Sequence, residues 1–299
     1  MEVPEPVAEQ RAPADLAERL AFAVATAEAA GREVLQRYGA KSHQLKAAGS
    51  PVTDADLAAN RLIVAAIRDA YPGEAVLAEE SRDDRSRLDQ ELVWVVDPLD
   101  GTKEYLAGNG EFSIMIGLAW RGASVLGVVH APVWGETLAA HHGGGAHLYR
   151  GGAAERLVPG AAPTPPRMVG SRSHAEGLVA RLAAALGVVD STVSGSVGLK
   201  CALIAKGERD LYVHPAPYLC EWDTCAPEVI AREAGGVVTD CRGRPLRYNK
   251  ADPLQPHGIA VFGRGTESAQ VTVAALYDQQ QSSSRTAAAV EREERRDDG

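Results

Sequence analysis

No apolar run in these 299 residues approaches the roughly 18 to 20 that a membrane-spanning helix needs, which excludes a bilayer span of that kind. A basic start leading into an apolar stretch is missing as well. Residues 1–13 are acidic and proline-bearing, so they do not read as an export signal, and the expected location is the cytoplasm. Basic excess is absent too: 31 Lys and Arg against 40 Asp and Glu leave a net charge of -9. Nucleic-acid polymers are held mainly by neutralising phosphates with Lys and Arg, so that class of partner is disfavoured. Cysteine is sparse. Cys201, Cys220, Cys225 and Cys241 form no C-x-x-C pair and, without secretory features, read as reduced thiols and not as a disulfide framework. His130, His141, His142, His147, His214 and His257 show no metal-ligand spacing.

What is present is long enough for two packed halves. Leu16, Leu20, Ala23, Ala27, Ala30, Val34 and Tyr38 recur at three- and four-residue steps, which predicts an amphipathic helix stopped at Gly39. Thr53 and Asp56 make a capping-box-like start to a second helix, continued by Ile63, Ala66, Ile67 and Ala70 up to Tyr71-Pro72-Gly73. Strands are expected at 75–78 and 92–96, and each delivers carboxylates at its end. Runs at 114–120, 125–130, 137–141 and 146–149 predict an antiparallel meander. Residues 14–158 thus read as an α+β half with helices on such a sheet. Residues 159–277 read as an α/β half, with strand-like runs at 168–170, 211–214 and 259–262 alternating with helical ones at 178–186, 197–205 and 229–234. The proline-rich stretch 159–166 is the linker candidate. No structure is expected for 1–13, nor for the tail 278–299, which is rich in Gln, Ser, Glu, Arg and Asp without sustained apolar periodicity.

The most informative segment is Asp97-Pro98-Leu99-Asp100-Gly101-Thr102, two carboxylates three residues apart on a tight turn after an apolar strand. With the Leu99 carbonyl between them they offer three hard oxygens, the donor type that Mg²⁺ takes. Glu79-Glu80 and Asp223 add acidic groups from elsewhere in the chain. Taken singly, Asp-Pro and Asp-Gly are ordinary turn formers, Glu79-Glu80 a solvated pair, Asp56 a helix cap and Trp222 a packing residue. Together, each placed at the end of an apolar element, they match what phosphate-ester cleavage requires. Two divalent cations roughly 3.5 to 4 Å apart can neutralise the phosphoryl group, supply a nucleophile and stabilise the leaving oxygen. Glu79, Asp97, Asp100 and Asp223, with the Leu99 carbonyl, are the candidate ligands. Gly101 lets backbone amides approach a phosphate, and Thr102, hydrogen-bonded to Asp56, is the candidate activator of the attacking water.

These segments resemble the signatures of the inositol monophosphatase superfamily: Asp97 to Thr102, the upstream Glu79-Glu80-Ser81, and Trp222-Asp223 followed by Ala234-Gly235-Gly236. The resemblance spans 14–277. Within it, Ser50-Pro51-Val52-Thr53-Asp54-Ala55-Asp56, Lys103-Glu104-Tyr105, Gly170-Ser171-Arg172-Ser173-His174 and Trp222-Asp223-Thr224-Cys225-Ala226-Pro227-Glu228 are similar to the 3'(2'),5'-bisphosphate nucleotidase branch. The resemblance implies a layered α/β/α/β/α sandwich of the α+β class with the active site between the two halves. It also implies two or three Mg²⁺ ions, sensitivity to lithium, and substrate contacts from Gly101, Thr102, Ser171, His174, Ser196 and Lys200. Ser196 stands where animal relatives carry Gly.

The function so implied is Mg²⁺-dependent removal of the 3'-phosphate from adenosine 3',5'-bisphosphate, giving AMP and phosphate, with a role in sulfur metabolism. The partner is then a small phosphate ester, with neither membrane nor nucleic-acid polymer. An inositol-phosphate or fructose-1,6-bisphosphate phosphatase on the same scaffold is the alternative. A non-catalytic nucleotide sensor is the distant one, disfavoured because every expected acidic position is filled.

Overall fold

A computed structural model describes residues 13–39, 43–46, 51–172 and 177–297. In chain order its elements are α1 (Leu16–Gln36), β1 (His43–Leu45), β2 (Pro51–Thr53), α2 (Asp54–Ala70), β3 (Ala75–Ala78), β4 (Leu92–Asp100), α3 (Thr102–Ala107), β5 (Ser113–Trp120), β6 (Ala123–Ala131), β7 (Glu136–His141), β8 (Gly145–Arg150) and β9 (Ala153–Arg156). There follow β10 (Met168–Ser171), α4 (Leu178–Ala185), β11 (Ser191–Ser194), α5 (Val197–Ala205), β12 (Leu211–His214), α6 (Glu221–Glu233), β13 (Val237–Thr239), β14 (Ile259–Phe262) and α7 (Ala269–Asp297). Among the described residues no helix is long and apolar enough to cross a membrane.

Seven strands form one sheet in the order β3-β4-β5-β6-β7-β8-β9, antiparallel except for the parallel β3–β4 pair. Five form the other, β11-β10-β12-β14-β13, parallel across its first three strands and antiparallel across the rest. The amphipathic stripe of α1 (Leu20, Ala23, Ala27, Ala30, Val34) and that of α2 (Ala59, Ile63, Ile67) pack on one face of the large sheet, around Trp94, Val96, Ile114 and Ile116. Helices α5 and α6 fill the space between the sheets, with Ala202, Ala226 and Ile230 against the large one and Cys201, Ile204 and Ala231 turned to the small one. Helices α4 and α7 cover the outer face of the small sheet. The result is the α/β/α/β/α sandwich that the sequence resemblance implies.

Two departures from the sequence reading have physical causes. Helix α6 begins at Glu221, eight residues before the periodic pattern becomes legible, because Pro227 sits inside it. That proline removes the N–H that would bond the Asp223 carbonyl, a cost other contacts must offset. The tail, for which no structure is expected, is helical backbone to Asp297. Its Ala, Gln, Glu and Arg are all strong helix formers, a local preference that needs no apolar stripe.

Candidate active site

The geometry of the acidic turn begins with a miscount in the sheet. Asp97 pairs with Met115 and Asp100 with Ser113, so Pro98 and Leu99 together face the single residue Ile114. In a regular strand, positions three apart point to opposite faces. The extra residue cancels that half-period and turns both carboxylates toward α5 and α6, while the Leu99 side chain stays in the core below α1 and α2. Proline suits the bulge, having no N–H to offer the ladder, and the Leu99 N–H turns inward to donate to Asp97 Oδ1 at 2.9 Å. Gly101 then takes φ +96°, a left-handed conformation in which a Cβ would also lie 2.8 Å from the Glu111 carbonyl, and α3 starts at Thr102.

Asp223 arrives from the first turn of α6, where its Oδ2 accepts the Cys220 N–H at 2.5 Å. Asp97, Asp100 and Asp223 each place one ligand oxygen within 4.8 Å of the others. Asp97 and Asp100 are buried, Asp223 half-buried. Burial first, and then the charges of Glu79 and the neighbouring aspartates, push Asp97 and Asp223 well above the usual carboxylate range. Burial raises Asp100 as well, opposed by the Lys200 ammonium and the Ser196 hydroxyl. A cluster of desolvated carboxylates with all-oxygen donors fits a hard divalent cation, which would offset the mutual repulsion. Glu79 stands beside this triangle. Its Oε1 accepts from Lys46 Nζ at 2.6 Å, and Lys46 also pairs with Glu80.

Asp56 reaches the same place from the third position of α2. Its Oδ2 accepts the Thr53 N–H at 2.8 Å and the Thr53 hydroxyl at 2.5 Å, closing the capping box, while its Oδ1 accepts the Thr102 hydroxyl at 3.1 Å. Burial raises its pKa against those hydrogen bonds.

These groups open on a cleft of about 260 Å³ lined by Glu79, Asp100, Thr102, Lys200 and Asp223 on one side and by Ser171, Arg172, His214 and Tyr218 on the other. Gly101 lines it as well. Lys200 is no solvated cation: it is 1% exposed, donates to the carbonyls of Ser194 (3.1 Å) and Gly195 (2.7 Å), and lies 5.2 Å over the Tyr212 ring. Ser171 Oγ is 3.4 Å from His214 Nδ1. Ser196 is fully buried and spends its hydroxyl on Asp100 Oδ2, away from the cleft lining. Within Lys103-Glu104-Tyr105, the first two line the cleft and Tyr105 packs in the core against Tyr38 and Phe112. His174 lies outside the described residues.

Sequence reading passed over three groups. Lys46 pairs with the Glu79-Glu80 doublet across 33 residues. Glu111 accepts from Arg172 at 2.7 Å and from the Gly195 N–H at 2.9 Å, joining the two sides of the cleft mouth. Ser113 lies against Ser196. Nothing local marks any of them, since each role depends on a partner from a distant element.

The sequence profile of the Inositol monophosphatase family matches residues 15–288. The chain is 38% identical over 236 residues to the 3'(2'),5'-bisphosphate nucleotidase CysQ of Escherichia coli strain K12, an alignment covering 78% of this chain and 94% of that one. It is 32% identical over 203 residues to the 3'-phosphoadenosine 5'-phosphate phosphatase of Mycobacterium leprae, covering 67% and 74%. Among solved structures, CysQ from Bacteroides thetaiotaomicron superposes with a TM-score of 0.72 at 34% identity, over 84% of this chain and 98% of the other. With the match running through β4, α3 and α6, where the clustered carboxylates and Thr102 lie, the chain belongs to the inositol monophosphatase family, in its bisphosphate-nucleotidase branch.

Proposed function

We propose that this protein is a Mg²⁺-dependent phosphatase that removes the 3'-phosphate of adenosine 3',5'-bisphosphate. The observation that carries this reading is the meeting, at one cleft, of three clustered carboxylates, two buried and one half-buried, with a Thr102–Asp56 pair, drawn from four separate elements. The names of the relatives at 38% and 32% identity support the substrate. Asp97, Asp100, Asp223, Glu79 and the Leu99 carbonyl would hold two or three Mg²⁺ ions. When bound, such cations neutralise the phosphoryl oxygens, lower the pKa of water and stabilise the leaving oxygen.

The chain's own residues do the rest. Asp56 Oδ1 accepts from Thr102 Oγ1, which fixes that hydroxyl's lone pairs toward the cleft; as Thr102 Oγ1 takes a proton from the attacking water it passes its own to the Asp56 carboxylate, which later returns it to solvent. The water oxygen forms its bond to phosphorus in line with the breaking P–O3' bond, and the departing 3'-oxygen takes up a proton, so that one water is consumed per phosphate released. Ser171 on the far wall and Lys200 on the carboxylate side would face the ester, with Lys103 and the Glu111-paired Arg172 at the mouth beside a second phosphate. A phosphate-release panel comparing adenosine 3',5'-bisphosphate, inositol-1-phosphate and fructose-1,6-bisphosphate at fixed Mg²⁺ tests the reading. The nucleotide should be turned over with the highest kcat/KM; preference for either of the other two would replace it with a sugar or inositol phosphatase.

A further inference from the structure

Asp100 belongs to β4, yet its side chain is held from across the middle layer. Its Oδ2 accepts the Gly198 N–H at 2.8 Å and the hydroxyl of Ser196, the residue that caps α5. Ser196 Oγ in turn accepts the Leu199 N–H at 3.0 Å and lies 2.9 Å from Ser113 Oγ. A hydroxyl has one proton and two lone pairs. The Ser196 proton is committed to the carboxylate, so Ser113 must be the donor to Ser196, and all three sites on that oxygen are used. Both serines are completely buried, and Ser113 is the residue directly opposite Asp100 in the β4–β5 register. An unrestrained carboxylate can turn about its last torsion and offer either oxygen, or both. Here one oxygen has two donors, and only Oδ1 remains for a ligand.

We propose that Ser196 is a positioning residue of the cation site: it fixes Asp100 as a one-oxygen ligand and makes cation binding depend on α5 staying docked against β4 and β5. With Asp100 read as a ligand, as under the proposed function, Ser196 acts on the cation without touching it. Outer partners of this kind typically govern 10- to 100-fold of metal affinity.

The experiment is calorimetric titration of the purified protein with Mg²⁺ alone, alongside the Mg²⁺ dependence of turnover. Ser196→Ala should weaken Mg²⁺ binding by about 10-fold or more and raise the Mg²⁺ concentration for half-activation by the same factor, with a smaller fall in kcat at saturating Mg²⁺. Ser196→Thr, which restores the hydroxyl, should recover most of the affinity. Because Ser196→Ala also removes the α5 cap, Ser113→Ala serves as the second variant; it leaves the cap in place and should weaken Mg²⁺ in the same direction. Unchanged Mg²⁺ affinity in a folded Ser196→Ala protein overturns the proposal, and if that variant does not fold, unchanged affinity in Ser113→Ala does so. Asp97→Asn separates the two levels. Loss of Mg²⁺ binding there with none in the serine variants removes only the role of Ser196, whereas Mg²⁺ binding undiminished in Asp97→Asn removes the cation site itself.

Discussion

Asp56 uses its two oxygens for two purposes. Oδ2 completes the cap of α2, a role any Asp at the third helical position could take, and Oδ1 reaches across 46 residues to Thr102. Asp56→Asn puts an N–H₂ on one of those positions, and an amide nitrogen cannot accept. Turnover should fall by about 10² to 10⁴, while Mg²⁺ affinity measured by titration stays near the parent value, since Asp56 is no member of the three-carboxylate cluster. Thr102→Ala should lose a similar factor, and the double variant little more, because the two act as one unit. Full activity in Asp56→Asn would dismiss the pair as structural. These residues were legible from sequence because each sits at a point where local chemistry already constrains it: a helix start, a strand end, a turn with Pro and Gly. The orientation of Asp100 was not. It depends on Ser196, 96 positions away, and no local pattern encodes such a pairing.

At the level of elements, what puts Asp223 near Asp97 is the depth at which α6 sits on the large sheet. Gly127 on β6 and its cross-strand partner Gly117 on β5 form a flat saddle there. A Cβ on residue 127 would come within 2.3 Å of the Ala226 carbonyl and 2.7 Å of its Cα, both backbone atoms that cannot rotate away. Gly127→Ala must therefore lift α6. We expect a loss of about 1 to 3 kcal/mol from overpacking, seen as a melting temperature lower by several degrees, together with weakened Mg²⁺ binding as Asp223 moves. Unaltered melting would mean that the helix shifts at no cost and that the saddle does not set its height. Amphipathic helices such as α1 and α2 were readable from their stripes. The bulge at Pro98-Leu99 was not, although it decides which way Asp97 and Asp100 point, because an inserted residue in one strand is defined only by the strand beside it. The short strands β11 and β13 escaped for a related reason: Ser191-Thr192-Val193-Ser194 and Val237-Val238-Thr239 are too brief to show a period, and take their form from β10 and β14.

For the whole molecule, the acidic cluster is where the layers are tied together. β4 of the large sheet supplies Asp97 and Asp100, α6 of the middle layer supplies Asp223, and α5 holds Asp100. Without a cation, the fold must keep three mutually repelling carboxylates, two of them buried, within 4.8 Å of one another, a standing cost that is relieved either by proton uptake or by unfolding. A cation that binds only the folded arrangement stabilises it by mass action, about 2.7 kcal/mol at a concentration 100 times its Kd. Adding Mg²⁺ to chelator-treated protein should accordingly raise the unfolding temperature in a concentration-dependent, saturable way, and excess chelator should reverse it. Asp97→Asn should abolish the Mg²⁺ response while melting no lower than the parent does without metal, since one of the repelling charges is gone. A melting temperature in the parent that ignores Mg²⁺ across the range that activates turnover would show that these layers are held together by apolar packing alone, with the carboxylates closing on the ion only in the presence of substrate.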